Sequence, residues 1–303
     1  MIPLKFRNAK QSDKNNVLRF CTNTFEWGDY IEEVWDEWYS DPNGYLTVAE
    51  EEDSGVIAAL SHAYICPNRK RVWLEGVRVN PNFRRRSIGT ELIKKMVQYG
   101  KEQGAKEAAA IVSVKNIASQ AMIEKNGFVV TSRWTYCYIS TTPSKVYQKP
   151  ETGQARIATS KDKEMLCNYL KQSHLFRAAA ENYVEFWRWY HLDLGSGVVQ
   201  TLIDEKRVII TMDTNHSIIE GVMIINKTNN NMLQIGYLDA PDISTLRHLI
   251  ALVINLAYNE LTEKRCEKLQ MFIPPIQFLQ PVMTDLGINH YGQFLLYRME
   301  YSF

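Results

Sequence analysis

Three consecutive arginines, Arg84-Arg85-Arg86, run into Ser87-Ile88-Gly89-Thr90 and then into Glu91-Leu-Ile-Lys-Lys-Met-Val-Gln-Tyr99. The last segment carries Leu92, Ile93, Met96 and Val97 at helical spacing. A turn that opens into a helix presents backbone N–H groups with no partner inside the helix, and the helix dipole favours an anion there. Guanidinium groups in that turn add positive charge, and Gly89 lets the backbone approach a ligand closely. Such a turn suits a diphosphate. Upstream, Glu75 interrupts an otherwise apolar strand and is placed to act as a general base. Strict alternation puts it on the same side as Val77 and Val79. Downstream, Asn116 ends a second strand, where it either hydrogen-bonds a ligand or forms a strand-end turn.

These residues depend on an ordered series of elements. Strand Val72–Val79 must stop at Asn80-Pro81, because proline cannot continue a ladder. Before it come a strand at Leu4–Arg7, a helix started by Ser12-Asp13 and a helix at Tyr30–Tyr39. Strands at Tyr45–Ala49 and Val56–Ile65 follow, joined by the acidic turn Glu50–Gly55. After the helix at 91–99 the pattern gives a strand ending at Ser113, a short helix ending in Asn126-Gly127-Phe128 and a strand at Trp134–Ile139.

The composition narrows the partners. The 303 residues suffice for two ordinary domains, and a hydrophobic content of 45% supports real cores. A net charge of +1 argues against a nucleic-acid surface. Five scattered cysteines and six dispersed histidines give neither disulfide nor metal spacing, so the thiols read as reduced and no metal is expected. No apolar run is long enough for a signal peptide or a membrane span, and the expectation is a soluble, cytoplasmic protein without a membrane partner. The sequence does not set the oligomeric state.

Residues Val77-Arg78-Val79 and Arg84 to Gly89 resemble the acetyl-CoA-binding core of the GCN5-related N-acetyltransferases (GNAT). That family's signature is Arg/Gln-x-x-Gly-x-Gly/Ala after a Val-x-Val strand. Ser87 stands where the first glycine is usual, and its amide can face a phosphate if the backbone there has a negative φ. Ala118 to Phe128, following Asn116, is similar to the family's Asn-x-x-Ala-x-x-x-Tyr-x-x-x-Gly-Phe segment. The resemblance covers about residues 45–140 and implies an α/β fold with a mixed sheet. It also implies acetyl-CoA as cofactor and a primary amine as acceptor. The cofactor's contacts then fall to Val77, Arg78, Val79, Arg84, Arg85, Arg86, Ser87, Ile88, Gly89, Thr90, Asn116 and Ser119. Glu75 is the expected base. The family's tyrosine acid falls on Ile123, so Ser119, Tyr136, Tyr138 or water must protonate the leaving thiolate. Trp27, Tyr30, Trp35 and Trp38 are the candidate acceptor wall, although aromatics at helical spacing also suit a core. The runs 38–42, 56–60 and 73–79 resemble the histidine Nα-acetyltransferase-like group, which implies an amino acid or similar small amine as acceptor. Peptide N-termini, polyamines and aminoglycosides are alternatives, as is a sensor that binds acetyl-CoA without turnover.

Ser140–Ser144 and Gln148–Gly153 read as a linker, giving domains at 1–145 and 154–303. The second half repeats the element order. Its helix starts at Ser160–Glu164 with a capping-box spacing, and an aromatic helix is expected at Phe186–Tyr190. Strands follow at 208–212, 218–225 and 232–238, then helix 244–258, strand 268–273, helix 276–286 and strand 293–301. Leu238-Asp-Ala-Pro-Asp-Ile243 stands where the arginine turn would be, and its carboxylates would repel a diphosphate. The second domain therefore reads as a degenerate copy without the cofactor signature.

Overall fold

Alternating apolar strands and amphipathic helices assemble into two compact units, one of residues 1–130 and 296–303, the other of residues 131–295. The computed structural model describes residues 3–22, 24–25, 28–67, 70–140, 155–227, 232–259, 268–276 and 289–301. The expected linker at 140–153 falls almost wholly outside them, as do Trp27 and all but Ile276 of the expected helix 276–286.

The first unit runs β1 (Leu4–Asn8), α1 (Lys14–Cys21), α2 (Ile31–Ser40), β2 (Gly44–Glu51), β3 (Ile57–Ile65), β4 (Arg71–Val79), α3 (Ile88–Glu102), β5 (Glu107–Ser113) and α4 (Ile117–Lys125). Its strands lie in the order β1-β2-β3-β4-β5. All pairs are antiparallel except β4 with β5, whose parallel connection requires the crossover helix α3. One sheet face packs on α1 and α2 through Val17, Ile31, Trp35, Trp38, Val48 and Leu60. The other packs on α3 through Ala49, Ala58, Ala59, Ile88 and Leu92. Fully burying one such leucine contributes about 2 kcal/mol.

Two irregularities shape the middle of this sheet. The β4–β5 ladder runs from Arg71 opposite Glu107 to Trp73 opposite Ala109, although both strands continue beyond it. A wedge therefore opens between them toward Val79 and Ser113. In addition, β4 carries a bulge: His62 of β3 faces Glu75 and Leu60 faces Arg78, so Gly76 and Val77 share the single partner Ser61. Gly76 takes φ +69°, and a Cβ there would lie 2.5 Å from Trp38 Cζ3.

The second unit contains most of β6 (Val129–Ser140), then β7 (Ala155–Ile157), α5 (Lys163–Gln172), α6 (His174–Ala178), β8 (Asn182–Glu185), β9 (Arg188–His191), α7 (Val198–Asp204), β10 (Val208–Met212), β11 (Ile219–Lys227), β12 (Met232–Asp239), α8 (Ile243–Asn259) and β13 (Lys268–Ile273). The last strand, β14 (Asn289–Glu300), begins there, and its residues from Leu296 belong to the first unit. The sequence boundary at 145/154 thus differs from this division. The strand after Gly127-Phe128 pairs with β13, from Thr135 opposite Ile273 to Ser140 opposite Lys268. The end of the chain supplies the corresponding strand of the first unit.

The expected aromatic helix at 186–190 is instead the β8–β9 hairpin, Asn182 facing His191 and Glu185 facing Arg188. Its turn is Phe186-Trp187, both at positive φ (49° and 69°), a conformation normally given to Asn-Gly. Both units open with the same ion pair. Arg7 holds Asp13 at 2.7 and 3.0 Å, and Arg156 holds Asp162 at 2.8 and 2.7 Å. Each aspartate also accepts the amide three residues earlier at 2.7 Å, from Lys10 or Thr159. The box expected on Ser160 is therefore Thr159 with Asp162. Among the described residues no helix is long and apolar enough to cross a membrane.

Candidate active site

Proline and an Asx turn shape the approach to α3. Asn80 accepts the Asn82 amide at 3.1 Å, and a single turn over Pro81–Phe83 leads to Arg84 in an extended conformation. Arg85 (φ 63°) and Ser87 (φ 61°) are left-handed on either side of Arg86, and Ile88 starts the helix. Alternation of this kind turns successive N–H groups inward to form an anion nest. The amides of Arg85 to Thr90 have no acceptor among the described residues, and Arg84, Arg85 and Arg86 are exposed. This run of donors fits a diphosphate.

Several expectations change here. Ser87 does not keep a negative φ. It adopts the conformation of the glycine it replaces, at a cost of about 1–2 kcal/mol. Gly89 gives room to a helix: a Cβ there would lie 2.6 Å from Met122 Sδ, so its small size serves α3–α4 packing. The Arg86 guanidinium lies over the Phe83 ring at 5.2 Å, and Arg84 Nε donates to the Val79 carbonyl at 3.4 Å.

Arg78 is engaged elsewhere. Its guanidinium donates to Asp29 Oδ2 at 2.7 Å and Oδ1 at 3.0 Å, between the rings of Phe25 and Tyr30, each 5.0 Å from Cζ. Its side chain is therefore occupied by Asp29. Burial pushes the Asp29 carboxyl up, and Arg78 more than offsets this, leaving it below the usual range. Burial also raises the Tyr30 phenol.

The bulge separates Glu75 from Val77. Val77 and Val79 pack on the α3 face, whereas Glu75 turns to the α2 face. There Glu75 Oε1 lies 2.8 Å from Nδ1 of His62, whose ring stacks on Trp38 at 4.4 Å between centroids. Glu75 keeps 14% side-chain exposure and His62 none. Trp38 is thus the backing of this pair. Trp35 is fully buried, donates Nε1–H to Gln11 at 3.1 Å and belongs to the core. Tyr30, half-buried, meets Trp38 edge-on at 6.1 Å.

Beyond the wedge, Asn116 caps α4 by accepting the Ser119 amide at 3.1 Å, the turn-forming role. Gln120, not singled out from the sequence, ties α4 to β5 by donating to the Ser113 and Val114 carbonyls. Ser119 is half-buried in the first turn of α4, and Ile123 is buried where the family places its tyrosine. Tyr136 belongs to the second unit. It is packed among Trp187, Phe272 and Phe294, and its oxygen accepts from Gln270 at 3.1 Å. In that unit Asp242 caps α8 through the Thr245 amide at 2.8 Å. Asp239 is buried beneath the hydroxyls of Tyr169, Tyr237 and Ser173.

Residues 14–128 match the family profile described as "Acetyltransferase (GNAT) family". Over 78 residues, 25% of this chain, the sequence is 35% identical to an aminoglycoside N(6')-acetyltransferase type 1 from Salmonella typhimurium. The chain spans about half the length of that curated relative, 54%. The fold is similar to that of a GCN5-related N-acetyltransferase from Sphaerobacter thermophilus, with TM-score 0.64, 13% identity and coverage of 99% of this chain and 97% of the other. It is also similar to a tandem GNAT protein from the clavulanic acid biosynthesis pathway, with TM-score 0.52, 12% identity and 98% coverage of both chains. At such identities the structural likeness carries the fold alone. Residues 14–128 thus match the GNAT acetyltransferase family, and the fold of the chain is similar to that of GCN5-related N-acetyltransferases, a tandem GNAT protein among them.

Proposed function

We propose that the protein moves an acetyl group from acetyl-CoA to the primary amine of a small molecule. The observation that carries this reading is the run of amides from Arg85 to Thr90 with no acceptor among the described residues, together with three exposed arginines at the head of α3. These amides hold the diphosphate, and the wedge between β4 and β5 receives the extended arm. Acetyl-CoA would supply the activated thioester.

The chain's own groups account for the rest. A β4 amide near Val77 polarises the thioester carbonyl. Glu75 accepts the amine proton, directly or through water, as nitrogen attacks the carbonyl carbon. Ser119, in the first turn of α4, or water returns a proton to the departing sulfur. Direct attack by the amine is the expected route, and Cys21 is not read as a nucleophile. Cys21, the thiol that feels the Asp29–Arg78 pair, is pushed up to about 12, chiefly by burial, and so stays protonated at neutral pH.

The leading acceptor is an amino acid or a similar small amine. An aminoglycoside is the second reading, favoured by the 35% identity to an aminoglycoside N(6')-acetyltransferase. The second unit, with Asp242 at the head of α8, is read as a copy that binds no cofactor. Thiol release from acetyl-CoA against a panel of amino acids, peptides, polyamines and aminoglycosides tests the proposal. Release with one class, abolished in Glu75→Gln, supports it. Tight binding without release for any acceptor, and no effect of Glu75→Gln, points to a sensor.

A further inference from the structure

His62 entered none of the sequence-based site assignments, yet everything around it is arranged to hold it. The imidazole is fully buried on β3, with Nδ1 2.8 Å from Glu75 Oε1 and its ring nearly parallel to Trp38, at 7°. Two missing side chains create the space. A Cβ on Gly44 would lie 2.6 Å from His62 Nε2, and a Cβ on Gly76 would strike Trp38 from the other side. Among the described residues His62 Nε2 has no hydrogen-bond partner.

We propose that His62 is a positioning residue for Glu75, a neutral imidazole whose Nδ1–H fixes the carboxylate that accepts the amine proton. This rests on the reading of Glu75 as the base. The tautomer follows from the geometry. A nitrogen facing a carboxylate oxygen at 2.8 Å must carry the proton, since two acceptors would repel. A second proton on Nε2 would leave a buried, uncompensated N–H and charge. His62 therefore does not relay the proton onward; the unpartnered Nε2 closes that route. The carboxylate oxygens each offer more than one acceptor position, so Glu75 takes the amine proton while still accepting from Nδ1–H. The amine lone pair forms the C–N bond, the N–H proton passes to the carboxylate while its electron pair stays on nitrogen, and the C–S bond breaks with its pair leaving on sulfur. Charged and titratable groups near the pair include Tyr30, the Asp29–Arg78 ion pair and Asp41. Asp41 lies at the Gly44 turn and accepts the Asn43 amide.

Three variants and one spectrum test this. His62→Phe keeps a ring against Trp38 and removes the donor, whereas His62→Asn keeps a donor near the Nδ1 position and loses the ring. Glu75→Gln controls the base itself. Thiol release is followed with acetyl-CoA and the amine that Glu75→Gln abolishes, or with a mixed amino-acid and aminoglycoside pool if no single amine is known. His62→Phe is expected to lower kcat/KM on the order of tenfold to a hundredfold and to move the acidic limb of its pH profile to higher pH. The KM for acetyl-CoA stays unchanged, and His62→Asn recovers much of the loss. If Glu75→Gln is inactive but His62→Phe matches the wild type in rate and pH profile, the positioning role is wrong and the base stands. If Glu75→Gln remains active, both are wrong. Because a buried substitution can unfold the chain, the wild-type imidazole 15N spectrum gives an independent reading. A neutral Nδ1–H tautomer is expected at neutral pH; an Nε2–H tautomer or an imidazolium overturns the proposal.

Discussion

Arg78 donates from Nε and Nη2, one edge of its guanidinium, to both oxygens of Asp29, at 2.7 and 3.0 Å, and neither side chain is more than 10% exposed. The pair joins the strand that carries Glu75 to the turn before α2. Removing one member strands a buried charge, so Asp29→Asn should destabilise the protein by about 3–5 kcal/mol. Replacing both, as Asp29→Leu with Arg78→Met, should restore much of that loss. Urea denaturation of the single and double variants measures it.

Ser87 holds a backbone conformation that suits glycine. Ser87→Gly should raise stability by about 0.5–1 kcal/mol and leave acetyl-CoA affinity unchanged or tighter. Ser87→Val should lower both. Thermal denaturation with and without the cofactor separates the two effects.

Acid stability should be set by paired aspartates. Arg156 holds the Asp162 carboxyl well below its ordinary value. For Asp13 and Asp29, burial pushes upward and the arginine partners outweigh it. A depressed folded-state pKa gives stability that is complete above the unfolded value and lost as pH falls through the folded one. The urea midpoint should therefore drop steadily below pH about 4. A midpoint flat down to pH about 2 would contradict these pairings.

Asp242 caps α8 in the second unit. Asp242→Ala should cost about 1 kcal/mol of stability and leave cofactor binding untouched, as judged by denaturation and calorimetry.

Much of the first unit was legible because its chemistry is local. Proline at 81, the arginine turn and the apolar spacing of Leu92, Ile93 and Met96 locate β4 and α3 without tertiary information. The repeated Arg-x5-Asp at 7/13 and 156/162 was equally present in the sequence, but its meaning depends on a fold-back that spacing alone does not reveal. The bulge could not be read: Gly76 is one glycine in a strand, and whether it adds a residue to the ladder depends on Trp38 packing against it. That single extra residue separates Glu75 from Val77 and brings Glu75 to His62. The β8–β9 hairpin was missed because its turn uses Phe186-Trp187, bulky residues at positive φ that carry no turn signal. The Arg78–Asp29 pair was not legible, because its two members lie 49 residues apart in the chain.

The central claim is that amides between Arg85 and Thr90, helped by Arg84 to Arg86, grip the diphosphate of acetyl-CoA. Isothermal titration of the intact chain with CoA tests it most directly. The account predicts one site per chain, weakened on the order of tenfold or more when all three arginines become alanine, with the loss shrinking as salt is raised. A folded protein that gives no heat and no thermal shift with CoA would contradict it.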